Sequence, residues 1–493
     1  MRLSSGEKNS NLILSNNMQA DSYIKSNNLT VSIVSVSQLE EATRIDSEYY
    51  KPEFMKPYRD NLVTKPIGDV LTNCQYGLSK DMNELGVGYE IYRMNDLKMG
   101  LCDDEDLKRA DVSENVMRKY RLSKNDILFN RVNSIEFVGR TGIYKYSCDL
   151  NRIFASYLIR LNTDEVQVLP DYLNMFLNCK FGVKQIKRKA RQAVNQANVN
   201  AEELKRIAIP IASNFFQQKI AVLSESAFEL RDNSKKISFE VNKMLLSHLG
   251  FADFIPSTVN YSSRSSKEAT DANRLDGEYW LPMYDEIEKK IAEYPHGYDA
   301  FDKLIEVSSE TISPNADETY KYAELSNVVA SIGLIEDASE ICGNELPSRA
   351  RMKLRKDDVV LSSVEGSADK VAIVKVESDN LVGSTGFFVL RKKALLPEVI
   401  LALLRIPHIN AIYKRQAQGT ILTAVPRNSL SRIMLPKIPE LFQQEIVSQV
   451  QEAHNLHIES KRLLEVAKRA VEIFIEQDED AGMEYIKQNY EQV

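Results

Sequence analysis

Hydrophobic positions along the chain fall into two alternating regimes. Ile220, Leu223, Ala227, Leu230, Ser234, Ile237, Val241 and Met244 follow a 3,4 spacing, with no Gly or Pro from Phe215 to Leu249. A seam held for so many turns predicts one long helix. The spacing returns 226 residues later at Ile446, Gln449, Ala453, Leu456, Ser460, Leu463, Ala467 and Ala470. Ahead of each helix stand short β-rich runs (DILFNRV and FASYLIRL; DVVLSSV, KVAIVKV and GFFVL), divided by Gly, Asn and Asp, then a helix after a Leu-Pro dipeptide. This pattern predicts a mixed α/β (α+β) domain. The seam is narrow for a helix lying on a globular core. Ala and Ser recur at matched places in both seams and permit close approach, so the two helices are expected to pair as an antiparallel coiled coil. The alternative is that each helix packs only on its own domain.

The chain is an internal repeat. Leu204–Ile220 (LKRIAIPIASNFFQQKI) matches Leu430–Ile446 (LSRIMLPKIPELFQQEI) without a gap. RIDSEYY (44–50) returns as RLDGEYW (274–280), LSKNDILF (122–129) as LRKDDVVL (354–361), and LPDYLNMFL (169–177) as LPEVILALL (396–404). The offsets drift between 226 and 232, as insertions in loops on a common scaffold would make them. Two tandem modules follow, with a junction near the polar stretch 257–266.

Composition modifies this picture locally. The net charge of −7 is unpromising for a phosphate-binding protein. Yet no acidic residue lies between Asp171 and Glu202, nor between Glu398 and Glu440, although the chain averages about one acid in seven. The first window holds Lys180, Lys184, Lys187, Arg188, Lys189 and Arg191; the second holds Arg405, Lys414, Arg415, Arg427, Arg432 and Lys437. A run of cations is ordinarily a solvated face. Two acid-free windows at one repeat position point instead to contact with the phosphates of double-stranded DNA. Gln192, Asn195, Gln196 and Asn198 flank the first window, and Gln416, Gln418 and Thr420 the second, as candidates for base edges or phosphates. The loops after the matched strands differ: NRVNSIEFVGR (130–140) against SSVEGSADK (362–370). They suit two readers of different sequences, with Arg131, Asn133 and Arg140 in one and Ser363, Glu365 and Lys370 in the other. A helix of about 29 residues spans roughly 43 Å, somewhat more than one turn of duplex, so the helices could act as a ruler between half-sites.

Five scattered cysteines without a CxxC pair read as free thiols, and a structural metal is not expected. His454 and His457 could hold a metal, but no third ligand stands near in sequence. No apolar run is long enough for a membrane span. No glycine-rich nucleotide loop, GxxxxGK[ST] or NPPY/F-type motif supports an enzyme.

Together, the doubled IxxPxxxxxFQQxI segment, the DIL/DVV strand and loop, and RxDxEYY/W at the start of each module resemble the specificity subunit of type I restriction-modification systems, over residues 40 to 477. The resemblance implies a non-catalytic subunit with two target recognition domains (31–212 and 271–437), spacer helices (213–250 and 438–477) and a linker (251–270). Residues 1–30 are expected to be a disordered tail and 478–493 an acidic tail of unassigned role. The resemblance further implies a bipartite, asymmetric DNA site, two adenine-methyltransferase subunits that bring S-adenosylmethionine, optional restriction-translocase subunits and a cytoplasmic location. The competing readings are a coiled-coil scaffold that does not touch DNA and a similar subunit of another methylation-based phage-defence system.

Overall fold

The computed structural model describes residues 3–4, 34–35, 49–51, 54, 57–194, 196–419 and 423–490. Most of the expected N-terminal tail, Asn195 and Thr420 therefore lie outside the described residues. The chain forms two compact units, Met1–Glu229 with Glu459–Val493, and Leu230–Ile458. Each unit thus holds one module's sheets and half of each long helix, Asn214–His248 and Glu440–Glu476.

The six-stranded sheet of the first unit runs Leu71–Tyr76, Leu158–Thr163, Ile127–Asn130, Thr141–Ile143, Gly100–Cys102, Leu97–Lys98. That of the second runs Ile305–Ser308, Phe387–Lys392, Val359–Ser362, Val371–Ile373, Leu334–Ile335, Val328–Val329. In both, the fourth and fifth strands are parallel and all other neighbours antiparallel. The middle strands are buried on both faces, which explains their unbroken apolar runs. Each is entered by a turn whose Asn125 or Asp357 has φ of 73° or 66°, a left-handed conformation that short polar side chains tolerate. The modules diverge just upstream. Glu114–Tyr120 is a helix, with an Arg118–Glu114 ion pair one turn apart, where the second unit has the strand Ala350–Lys353.

The repeated Gln of FQQ has a defined task. Gln217 Oε1 accepts from the Leu169 backbone N–H (2.8 Å), and its Nε2 donates to the Ala212 and Gln167 carbonyls (3.0 and 3.3 Å). Gln443 repeats all three bonds, with Leu396 N–H (3.0 Å) and the carbonyls of Ile438 and Ala394 (2.9 and 3.3 Å). One carboxamide thus caps the Leu-Pro helix and ties it to the first turn of the long helix, satisfying donors and acceptors that burial would otherwise strand. Gln443→Leu is expected to lower unfolding stability by about 1–3 kcal/mol in a denaturant titration, because three buried backbone groups lose their partner; an unchanged midpoint would contradict this role.

Within each unit the two long-helix halves run antiparallel and touch. In the first, Ser460 Oγ donates to the Ala227 carbonyl (2.5 Å), and Phe216 meets Phe474 further along. In the second, Ser234 Oγ donates to the Ala453 carbonyl (2.6 Å), and His248 stacks on Phe442. Both contacts join the matched Ser and Ala positions. A small residue lets the backbones close up, and the serine hydroxyl reaches a carbonyl of the facing helix. Ile220, Leu223, Val241, Ile446, Leu463 and Ala467 are buried as expected of a seam, while Leu230, Ile237 and Leu456 are half-buried. The segment after the second helix forms a further helix, Glu479–Tyr490. Glu479 accepts from the Ser213 backbone N–H and hydroxyl at the start of the first long helix, and Gly482 lies against Phe216.

His454 and His457 separate in role. His454 Nε2–H donates to the Ile332 carbonyl (2.8 Å), whereas His457 meets Glu336 (3.1 Å). Burial pushes the His454 imidazole down to about 4, with Lys375 and Arg405 reinforcing the effect and Glu398 opposing it. The unfolded chain then binds a proton, below about 6.5, that the folded chain refuses until about 4. Stability should fall by roughly 3 kcal/mol as pH drops through that window. His454→Leu should flatten the pH dependence of the denaturation midpoint there; an identical acid slope would exclude this histidine as its source.

Candidate nucleic-acid interface

In both units the acid-free window is a helix that runs into a hairpin. Lys180–Lys189 leads into the strand Arg191–Ala193, which pairs with Gln196–Asn198. The outer edge of this pair is taken by Val132–Asn133, the start of the variable loop. In the second unit Pro407–Arg415 leads to Gln418, whose backbone exchanges two hydrogen bonds with Ala424 (2.8 and 2.9 Å), and Ala424 bridges Val364. The basic window and the variable loop, far apart in sequence, are therefore brought onto one small sheet in each unit.

The first unit's candidates mostly gather there. The Arg131 guanidinium lies over the Tyr76 ring (5.0 Å to its centroid) and donates to the Ser156 carbonyl (3.4 Å). Asn133 Oδ1 accepts from the Ser134 backbone N–H (2.8 Å). Arg191 pairs with Glu203 (3.0 Å) while remaining largely exposed, as are Gln192 and Gln196. Lys184 is exposed and Lys187 half-buried on the preceding helix; Arg140 is exposed at the loop's end over Phe137 (4.0 Å). Buried polar atoms without a hydrogen-bond partner concentrate at this junction: Asn130 Oδ1, Arg131 Nε, Ser134 Oγ and Asn198 Oδ1. Such atoms are uncommon in folded proteins and mark places where a polar ligand is expected.

Several expected DNA contacts are engaged inside the protein, and this corrects the sequence-based set. Arg415 is 6% exposed: it donates to the Tyr279 carbonyl (2.8 Å), pairs with Glu288 (2.8 Å) and stacks on the rings of Tyr279 and Tyr284. Its repeat equivalent, Arg188, donates to the Tyr49 carbonyl (3.1 Å) and lies over the Tyr49 ring (4.4 Å). These arginines anchor the EYY and EYW segments that begin the two modules. Arg427 donates to the carbonyls of Val307 and Ser308, Lys370 to that of Leu325 (2.7 Å) and Ser363 to that of Gly386 (3.0 Å). Backbone carbonyls satisfy them without any acid, so a search for acid-free windows could not detect the pairing. Lys414 and Gln418 line a groove of about 410 Å³, but Glu365, Asp276 and Glu278 line it too. The second unit's face is therefore mixed in charge rather than basic.

A buried ion pair supports each site from behind. Lys145 meets Asp171 (2.8 Å) and Glu225 of the long helix (3.1 Å); at the repeat-equivalent positions Lys375 meets Glu398 (3.0 Å), which also accepts from Gln451 (3.0 Å). Burial opposes ionisation of Glu398, but hydrogen bonds from Gln451, its own backbone N–H and Lys375 hold its carboxyl below the usual range. Sequence comparison of the repeats did not single out these positions, because charge type varies (Asp171 against Glu398, Glu225 against Gln451) while geometry is kept. Among the described residues no cluster of three or more His, Cys, Asp or Glu could hold a metal, and no helix is long and apolar enough to cross a membrane.

No protein-family model matches the chain. It is 28% identical over 177 residues to the specificity subunit of type I restriction enzyme EcoKI of Escherichia coli K12, covering 36% of this chain and 37% of that protein. It is 30% identical over 191 residues to a protein of Methanocaldococcus jannaschii named as the specificity subunit of a type I restriction enzyme, MjaX, covering 36% and 43%. The chain thus spans about two-fifths of the length of the curated relatives it matches. The type I restriction-modification S subunit from M. genitalium aligns over 84% of this chain and 96% of its own, at 14% identity and a TM-score of 0.41. On its repeated motifs and on these relatives, the chain resembles the specificity subunits of type I restriction enzymes.

Proposed function

We propose that this protein is the DNA-reading, non-catalytic subunit of a type I restriction-modification complex, in which each unit reads one half of a bipartite, asymmetric site. One observation carries the reading: in both units the variable loop and the hairpin after the acid-free helix share one small sheet. Unlike side chains are thereby displayed on like scaffolds, as two different half-sites require. The continuous long helices, 35 and 37 residues, would set the spacing between the half-sites.

Two like units also offer two like faces to a partner. Phe215 and Leu441 are exposed at equivalent places in the first turns of the long helices, which suits two copies of one methyltransferase subunit. S-adenosylmethionine would be carried by those partners, and a restriction-translocase subunit could join them. Arg131, Asn133, Arg140, Lys184, Lys187, Arg191, Gln192 and Gln196 form the DNA-facing set of the first unit, with Lys414 and Gln418 in the second. Arg188, Arg415, Arg427, Lys370 and Ser363 do not belong to it, being engaged by their own backbone and rings. Fluorescence anisotropy with labelled random duplex tests the reading directly: binding that weakens steeply with added salt is expected, whereas no binding even at about 50 mM salt would leave a protein scaffold as the better account.

A further inference from the structure

The first unit's hairpin breaks a local rule at its tip. Tight hairpin connections favour Gly, Asn and Asp, which accept the turn's backbone angles. Here Val194 stands in the turn and is 99% exposed, the most exposed large apolar residue among those described. A β-branched side chain gains nothing from water at that place, and departures of this kind are expected where function overrides local preference. The base beneath it is well anchored: Ala197 and Val199 are fully buried and a third strand pairs along the edge. Arg191, Gln192, Ala193 and Gln196, around the tip, are all exposed.

The dimensions decide which groove this ribbon fits. Three residues per strand give about 10 Å of two-stranded ribbon. The major groove is roughly 12 Å wide and 8.5 Å deep and admits such a ribbon, whereas the minor groove, roughly 6 Å wide, does not. On the major-groove edges of the bases the apolar feature is the 5-methyl group of thymine, and glutamine carboxamides match the N6 and N7 of adenine. We infer that Val194 is a specificity-determining contact to the 5-methyl group of a thymine in the half-site read by this unit, with Gln192 and Gln196 on neighbouring base edges. The inference rests on the DNA-reading function proposed above.

The test uses the full chain in its complex with partner subunits, on duplexes carrying its methylation motif. Each thymine of the half-site is replaced in turn by deoxyuridine, which keeps the hydrogen-bonding edge and removes only the methyl group. One position should weaken binding roughly fourfold, the effect of one methyl-sized apolar contact. Val194→Ser should weaken the thymine duplex by a similar factor and bind thymine and uracil equally at that position. A flat uracil scan with the wild-type complex would overturn the inference and leave the DNA-reading function standing. So would equal weakening of both duplexes by Val194→Ser, which would make the tip a wedge between base steps. Absence of any sequence-specific binding by the wild-type complex would overturn the function itself, and this inference with it.

Discussion

Lys184→Glu combined with Lys187→Glu is expected to weaken binding to any duplex by about 10²-fold at moderate salt, with little change in which sequence is preferred. Both lysines project from the helix that feeds the recognition hairpin, and neither sits on the small sheet where base-reading groups gather. Cations of this kind act on phosphates, whose contribution is independent of sequence. For every phosphate no longer neutralised, the slope of log affinity against log salt should shrink by about 0.9, so the double variant should give up roughly two units of slope. Titrations at several salt concentrations give both numbers. A relaxed sequence preference with an unchanged slope would place these residues on base edges instead. Arg188 does not belong in this variant: reversing its charge would break its contacts with Tyr49 and confound binding with misfolding.

Lys145→Met should destabilise the first unit by about 3–5 kcal/mol, the usual cost of leaving a buried carboxylate without its partner. The ammonium is 2% exposed and joins Asp171, in the first turn of the Leu-Pro helix, to Glu225 on the long helix. Its removal leaves Asp171 uncompensated in a site that water barely reaches. Lys145→Met with Asp171→Leu should recover much of the loss, since replacing both charges by apolar groups is close to neutral. Chemical denaturation of the two variants tests the coupling. If the double variant is as unstable as the sum of its single substitutions, the pair is not acting as a unit.

The repeat and the long helices were legible because they depend on period and identity. Phe215 to Leu249 has no helix breaker, and the doubled Ser and Ala positions that permit close approach are the ones that touch within each unit. The buried central strands announced themselves as unbroken apolar runs after an Asn-Asp or Asp-Asp turn. The hairpin did not. Arg191–Ala193 and Gln196–Asn198 hold no β-branched residue, and pairing with Val132–Asn133, some sixty residues away, creates the strand. Nor could acid-free windows reveal cations satisfied by carbonyls: Arg427 ends on the backbone of Val307 and Ser308, distant in sequence and invisible to a charge count. The RxDxEYY/W motif was visible as a repeat, yet its purpose needed the paired geometry of Tyr49 with Arg188 and Tyr279 with Arg415. A signal existed: both arginines fall at matched places in modules that also share an initial Glu-Tyr pair. The C-terminal helix gave less notice, because Gly482 in its first half weakens the helical pattern while fitting it against Phe216.

The central claim, that each unit reads its own half of one DNA site, is tested most directly by genome-wide mapping of adenine methylation. Cells carrying the wild-type gene, a deletion, and a variant with Arg131, Asn133 and Gln196 all changed to Ala should be compared, with partner genes intact. A bipartite motif should be present in the wild type, absent from the deletion, and relaxed in the variant at one half only. An unaltered methylation pattern in the deletion strain would contradict the account, as would a variant that changes both halves together.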